Sequence, residues 1–579
     1  MDFFAEQDAA RRRSRWLILW YAVAVLAVVA SYCAVAGALY ALLVQQAPPA
    51  RLFLAVAGTV AAFVLSISAY RMWQLSGGGP AIAELLNARY VEAGRCTPAE
   101  RRLLNVVEEM AIASGISVPA VYILDYDDAI NALVAGYSPN EAVIIVTQGA
   151  LQKLSRDELQ GVMGHEFSHI LNGDMALNLR LVSVLAGLTW FADAAERLIF
   201  ETAWRNRGLP REKRGDGVLA ALFAGMVAFI GFPATFAADA IKGAISRERE
   251  RLADAAAVQF TRNPDGVAGA LDSILALRAQ TMVRALHAEL FSHMFFAPAA
   301  GGWWRPPTHP PLLERIKSAH PRFKRDEYRE RRHGIRREVA VIDGSGNVVK
   351  NMAQGLASVG RPAPEHVDYA ARLLASLPAD VREALHDANG AQAQMLALAR
   401  GDKRKDMLTL AELAIPALKA QPQKLRDAFI AELSSVVEAD RRVTLGEFVL
   451  LTYLRQRLRE GAGQPIRTQF RRIEEVAADA HIVVSLLARS SPDPGAAFAT
   501  GAALLKLGWT KPVEQLDTRK VGDALERLRH LAPLAKPAVI KACMAAANAD
   551  GVFNTAETDL VRMVAATLDC PVPPALERA

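Results

Sequence analysis

His165, Glu166 and His169 stand in the order H-E-x-x-H inside GVMGHEFSHILNGD, residues 161–174. Helical positions i and i+4 share a face, so two imidazoles at this spacing can reach one metal ion. A glutamate beside the first histidine can then take a proton from water on that ion. The local sequence supports a helix. Ser155 with Glu158 three residues on forms a capping-box pattern. Leu159, Val162, Met163, Phe167 and Ile170 follow at helical spacing. The competing reading is an ordinary helix whose histidines are satisfied by other groups. A catalytic zinc needs three protein ligands and one open position, so a third ligand separates the two readings.

The metzincin pattern would need Gly at 172 and His at 175. The chain has Asn172 and Met175, so that class is excluded. The other solution is a glutamate on a later helix. Residues 246–258, SRERERLADAAAV, hold Glu248 and Glu250. Two residues apart on a helix is about 200°, so both cannot face one ion. Asp254 lies four residues after Glu250 and shares its face. Glu250 is the candidate ligand. Asp254 would accept from the far nitrogen of a ligand histidine and fix its tautomer. From these residues alone, Glu250 and Asp254 read equally well as a surface pair among Arg247, Arg249 and Arg251.

The elements that must position these groups are legible in part. Residues 117–125 and 142–147 are short, β-branched and strand-like. A hairpin should turn between them at Ser138-Pro139-Asn140. Residues 16–44 carry no charge and are long enough to cross a bilayer; residues 52–70 form a second span. Arg11, Arg12, Arg13 and Arg15 precede the first span and place the N-terminus on the cytoplasmic side. Residues 181–192 and 217–238 are apolar, with basic residues 205–214 between them. A hydrophobic hairpin that dips into the membrane or covers the catalytic domain fits those charges. His165 and Glu250 must meet one ion, so zero or two membrane crossings separate them.

Length and composition agree. A chain of 579 residues is too long for one core. The 52% hydrophobic content suits membrane segments joined to soluble parts. The net charge of +6 is the difference between 67 basic and 61 acidic residues that are mostly interspersed, so no nucleic-acid partner is expected. Four cysteines without a C-x-x-C pair argue against a cysteine-bound zinc and a disulfide scaffold, and suit a reducing compartment.

GHEFSHILNGDM, then SRERERLADAAAVQF, then THPPLLERI (308–316) resembles the HtpX-type membrane zinc metallopeptidases, the family that includes the CAAX prenyl proteases. The likeness runs from about residue 75 to 320 and includes NALVAGYSPNEAVIIVTQGAL and SHMFF. It implies one zinc ion per chain on His165, His169 and Glu250, with Glu166 as general base and Asp254 behind a ligand. Arg251 departs from the aromatic residue common after the ligand glutamate. The expected activity is endopeptidase cleavage of membrane or misfolded proteins at the cytoplasmic face of a bacterial inner membrane, by a multi-pass chain. Partners are then a protein or peptide substrate and membrane lipid; oligomeric state is open. His309 is a candidate second stabiliser of the oxyanion, though a structural histidine beside Pro310 is the favoured reading. Asn131–Val134 reads either as a strand that pairs with substrate or as an ordinary edge strand. Arg315 is expected in a structural ion pair or cap. The CAAX reading ranks low because the apolar segments are too few for a chamber. A non-catalytic scaffold acting through the C-terminal domain is the alternative from another class.

Residues 331–364 read as a linker and 365–579 as helical. Residues 431–448 and 541–558 echo each other, pairing Asp440 with Glu447 and Asp550 with Glu557. The second copy resembles TerB-type helical domains, in which such acids can hold a metal. NADGVFNTAE falls short of a calcium loop, so an Asp acting as helix cap and turn former, with a Glu in the next helix's first turn, is favoured. The expected architecture is α+β and mostly α: a transmembrane hairpin at 1–74, a gluzincin-type zinc metallopeptidase domain with a small sheet at 75–330, and an all-α domain after the linker.

Overall fold

The computed structural model describes residues 3–205, 236, 238, 241–243, 246–247, 249–276, 282–285, 287–299, 309–335, 364–401, 407–439, 443–459, 466, 468–550 and 554–572. Side chains are described from residue 21 onward, apart from 191–205, 333–335, 364 and 555. The basic residues 206–214, most of the apolar run 217–238, and Glu248, Asp440 and Thr308 therefore lie outside the described residues.

Two N-terminal helices, α1 (Phe3–Val44) and α2 (Ala50–Gln74), are long and apolar enough to cross a membrane. Both extend beyond the apolar spans read from sequence, because charged ends do not stop a helix at a bilayer edge. A short helix α3 (Gly79–Leu85) follows. The sheet is small and mixed, in the order β1 (Arg89–Tyr90), β2 (Ala120–Leu124), β4 (Val143–Thr147), β3 (Ala132–Ala135). β2 runs parallel to β4, and β3 runs antiparallel to β4 through the expected hairpin at Pro139. The sequence VIIVT of β4 is buried at every position, as its apolar run requires.

Helix α4 (Pro98–Ser114) and the short α5 (Gln148–Lys153) flank the sheet, and α6 (Arg156–Leu171) carries H-E-x-x-H. α6 begins with the expected capping box between Ser155 and Glu158. Glu158 is fully buried and also receives Ser273 Oγ at 3.1 Å and Tyr328 OH at 3.2 Å. Leu159, Met163, Phe167 and Ile170 are fully buried; each contributes about 1.5–3 kcal/mol relative to exposure. α6 packs closely on α9 (Pro264–Ala276), since a Cβ on Gly161 would lie 2.6 Å from the backbone of Gly266. A tight turn at Gly173 (φ +70°) links α6 to α7 (Asp174–Arg205).

α7 is continuous through Asp193, Glu196 and Arg197. Its Leu177, Leu181, Leu185 and Leu188 pack with Val60 and Val64 of α2 and Ala24 and Val28 of α1. Gly187 makes the contact close: a Cβ there would meet Val64 O at 2.2 Å. Ala238 and Ile241, at the far end of the apolar segment, join the same cluster. The chain is then helical over 249–261, named α8, which carries Glu250 and Asp254. Helices α10 (Leu312–Ala319) and α11 (Arg325–Ile335) close the domain. α11 continues into the stretch read as linker; residues 336–363 lie outside the described residues.

From α12 (Pro364–Ser376) onward the described residues are helical with short connections. α12 packs on α4, the helix behind α6. Buried Glu108 on α4 receives His386 Nε2–H at 2.6 Å and pairs with Arg382; Arg101 donates to His386 Nδ1 at 2.9 Å. Lys419 reaches Asn140 O at 2.8 Å at the sheet hairpin. Glu447 and Glu557 each close a capping box in the first turn of their helices, with Thr444 and Asn554 as the caps. The cap is thus the residue just before each helix, not the Asp of the echoed motif.

Candidate metal centre

α6 and α8 lie side by side with their polar faces together. His165 and Glu166 are fully buried, and His169 and Glu250 nearly so. The Nε2 atoms of His165 and His169 are 3.1 Å apart. Glu250 Oε2 is 3.5 Å from His165 Nε2, and Oε1 is 3.6 Å from His169 Nε2. Among the described residues, this is the group of three or more histidine, cysteine or acidic side chains placed to hold a metal ion.

The tautomers follow from the outer contacts. His165 Nδ1 is 2.9 Å from Asp254 Oδ1, and His169 Nδ1 is 2.8 Å from Asp174 Oδ2. A carboxylate only accepts, so both Nδ1 atoms carry hydrogen. In the neutral rings both Nε2 lone pairs then face one point and repel unless a cation lies between them. Donors about 2.0–2.1 Å from a tetrahedral zinc are about 3.3 Å apart, close to the spacings found here. The residues fit such an ion on a second count. Among the described residues, both oxygens of Glu166 and Oε2 of Glu250 are buried without a hydrogen-bond partner, the last with Arg315 NH1 at 3.3 Å as an ion pair. Leaving these groups unanswered costs free energy that a cation and its water would recover.

Electrostatics agree. Burial pulls His169 down, but the Asp174 and Glu250 carboxylates outweigh it and hold its pKa up to about 10. The cavity between the helices therefore favours positive charge. Burial pushes the Glu166 carboxyl up to about 7. Glu250 is also penalised by burial, but His309, Arg315 and His165 hold it well below the usual carboxylate range.

Each histidine is held by an aspartate, and each aspartate by a buried arginine. Asp254 takes Arg315 Nε at 2.8 Å and NH2 at 2.7 Å. Arg315 also donates to Phe296 O at 2.5 Å and lies 4.9 Å over the Phe296 ring. That ring meets His165 edge-on at 4.9 Å. On the other side, Asp174 Oδ1 lies 2.6 Å from Arg249 NH2.

The sequence candidates divide clearly. His165, Glu166, His169, Glu250 and Asp254 converge. His309 sits at the rim, with Nε2 2.7 Å from Phe295 O and 4.0 Å from Glu250 Oε2. Asn131 does not face the centre. Its side chain clamps Ala297 through both N–H and C=O at 3.0 Å. The outer edge of β3 is occupied there, by Phe296 N–H donating to Ala132 O at 2.8 Å and a bridge from Leu133 to Phe295. Arg251 is exposed and turned toward Glu314. Sequence reasoning missed Asp174, Arg249 and His293. Asp174 had a readable signal, an acid placed just past the Asn172-Gly173 turn that reverses the chain. His293 lies in SHMFF, a segment of the family likeness, but no spacing singled it out within that segment.

The profile of peptidase family M48 matches residues 98–322, which hold every residue of this centre. A protein named Protease HtpX homolog from Streptococcus gordonii is 31% identical over 314 residues, 54% of this chain and 97% of the relative. One of the same name from Streptococcus pneumoniae strain Hungary19A-6 is 36% identical over 220 residues, 37% of this chain and 71% of the relative. A third, from Streptococcus uberis, is 38% identical over 170 residues, 29% of this chain and 56% of the relative. No solved structure matches the chain. With the two helices, the buried His-His-Glu group and near full-length similarity to an HtpX homologue, the chain belongs to peptidase family M48, among the HtpX-type proteases.

Proposed function

We propose that the chain is a membrane-anchored, zinc-dependent endopeptidase with one zinc on His165, His169 and Glu250. The observation that carries this reading is the pair of Nε2 lone pairs facing Glu250 beside a buried Glu166 with two unpartnered oxygens. Zinc, when bound, supplies a Lewis acid that polarises the scissile carbonyl and makes water acidic near neutral pH. Glu166 takes the water proton as the water oxygen attacks the carbonyl carbon, then gives it to the leaving nitrogen. Its raised pKa suits both directions of that transfer. Asp254 and Asp174 keep both Nδ1 atoms protonated, so both Nε2 atoms stay available.

The packing of α7 on the two N-terminal helices supports a centre near the membrane. Asp174 opens α7, and Leu177, three residues on, already packs with α2. The centre therefore lies close to where the helices enter the bilayer, which favours membrane proteins and unfolded segments near its surface as substrates. The arginines in the first turns of α1, ahead of its apolar stretch, support a cytoplasmic position for that face. Joining of α7 and Ala238 to one cluster favours a segment that leaves and returns beside α1 and α2. The C-terminal helices, TerB-like in their second echo, are read as an interaction domain braced on α4.

The test is Glu166→Gln in the full chain. Zinc content by elemental analysis should stay at one per chain while cleavage of an unfolded protein is abolished. A variant that cuts at the wild-type rate refutes the mechanism.

A further inference from the structure

Peptide hydrolysis puts negative charge on the former carbonyl oxygen, and a donor aimed at it in addition to the cation speeds the reaction. Glu166 and Glu250 are answered by water and the cation. His293 is not. It is 2% exposed, and among the described residues neither ring nitrogen has a hydrogen-bond partner. Leaving buried polar atoms orphaned is costly, which points to a group that arrives with the ligand.

His293 opens the segment that walls the centre. Phe295 O accepts His309, the Phe296 ring packs on His165, and Phe296 N–H ties the wall to β3. The charged groups around His293 are Lys242, His309, Glu250 and Arg249. Those around Glu166 are His165, His169, Glu250 and Arg315. Glu250 acts on both side chains, so His293 and Glu166 border the same centre. Burial first, then Lys242 and His309, hold the His293 ring neutral, so it has one N–H to donate and one acceptor.

His309 suits this task less well. A carbonyl only accepts, so its Nε2 carries the hydrogen that Phe295 O receives. That hydrogen is thus already engaged by the wall.

We propose that His293 donates to the oxyanion during hydrolysis, and that His309 instead posts the wall in place; this rests on the peptidase reading above. The water oxygen bonds to the carbonyl carbon, a water proton passes to Glu166, and the carbonyl π pair moves onto oxygen, which accepts from His293. On collapse the pair returns, the C–N bond breaks and Glu166 protonates the nitrogen. His293 keeps its proton throughout.

The experiment uses full-length His293→Leu, His293→Gln and His309→Gln in detergent, loaded with zinc. The probes are a quenched-fluorescent peptide cut by wild type and a phosphinic peptide that mimics the tetrahedral state. His293→Leu should lower kcat by about 10²–10³, with KM and zinc affinity little changed. Phosphinic-peptide affinity should fall in parallel, and an amide donor in His293→Gln should restore part of both. His309→Gln should mainly lower the melting temperature. Wild-type kcat in His293→Leu, or a loss that zinc affinity tracks, overturns the proposal. If His293→Leu does not fold, His293→Gln decides: unchanged phosphinic-peptide affinity and kcat refute it. Zinc-loaded wild type that cuts nothing would sink the peptidase reading itself, and this proposal with it.

Discussion

Asp174 gives the sharpest test of how the centre is held. Its carboxylate receives His169 Nδ1–H at 2.8 Å and pairs with Arg249 at 2.6 Å, all nearly buried. Asp174→Asn keeps the volume and removes the charge. An amide oxygen can still accept from His169, but more weakly, and the ring loses the partner that raises its basicity. Loss of such an outer partner lowers metal affinity about 10–100-fold, or about 1.4–2.8 kcal/mol. The same change leaves Arg249 facing a neutral group, and breaking a buried pair costs about 3–5 kcal/mol. Metal binding and stability therefore both fall, for separable reasons. The double variant Asp174→Asn/Arg249→Met removes the orphaned charge. It should recover most of the metal-free melting temperature, since an apolar replacement of a buried pair is often neutral, but not the zinc affinity. Zinc affinity would be read by competition with a chromophoric chelator, and stability by thermal unfolding in detergent. Wild-type zinc affinity in folded Asp174→Asn, or its full return in the double variant, would refute the reasoning.

Other perturbations have equally direct readouts. Glu250→Ala should lose zinc while Glu248→Ala keeps it, measured as metal per chain; equal loss in both would remove Glu250 as the third ligand. Gly187→Leu should separate α7 from α2, because even a Cβ meets Val64 O at 2.2 Å; a melting temperature in detergent equal to wild type would contradict that packing. Glu108 is penalised by burial, but His386 and Arg382 hold its pKa below the ordinary glutamate value. A depressed carboxylate stabilises the fold above its unfolded pKa, about 4.3, and that stability fades as pH falls through the lower folded value. Docking of α12 and its neighbours on α4 should therefore be firm at neutral pH and weaken only in clearly acid solution. Glu108→Gln should flatten that acid limb in melting temperature against pH and lower stability at pH 7; an unchanged curve would show that the pair contributes nothing.

The parts legible in the sequence are those that depend on short range. The capping box at Ser155, the α6 apolar stripe, the β-branched strands and the hairpin at Pro139 all follow from neighbours within a few residues. So does the shared face of His165 and His169, because 3.6 residues per turn sets it. The face shared by Glu250 and Asp254 is equally local. What it faces is not: only the packing of α8 against α6 takes the pair out of solvent and brings Asp254 to His165. The same holds for Arg315, whose partners lie 61 and 19 residues away in sequence. Asn131 shows the converse. Its strand is at the sheet edge as its sequence allows, but residues 295–297 fold back over that edge and engage its side chain. Spacing along the chain determined which residues were equipped for chemistry. Burial, the tautomers set by Asp174 and Asp254, and the unpartnered atoms of Glu166 and His293 come from contacts between distant segments, which no local period encodes.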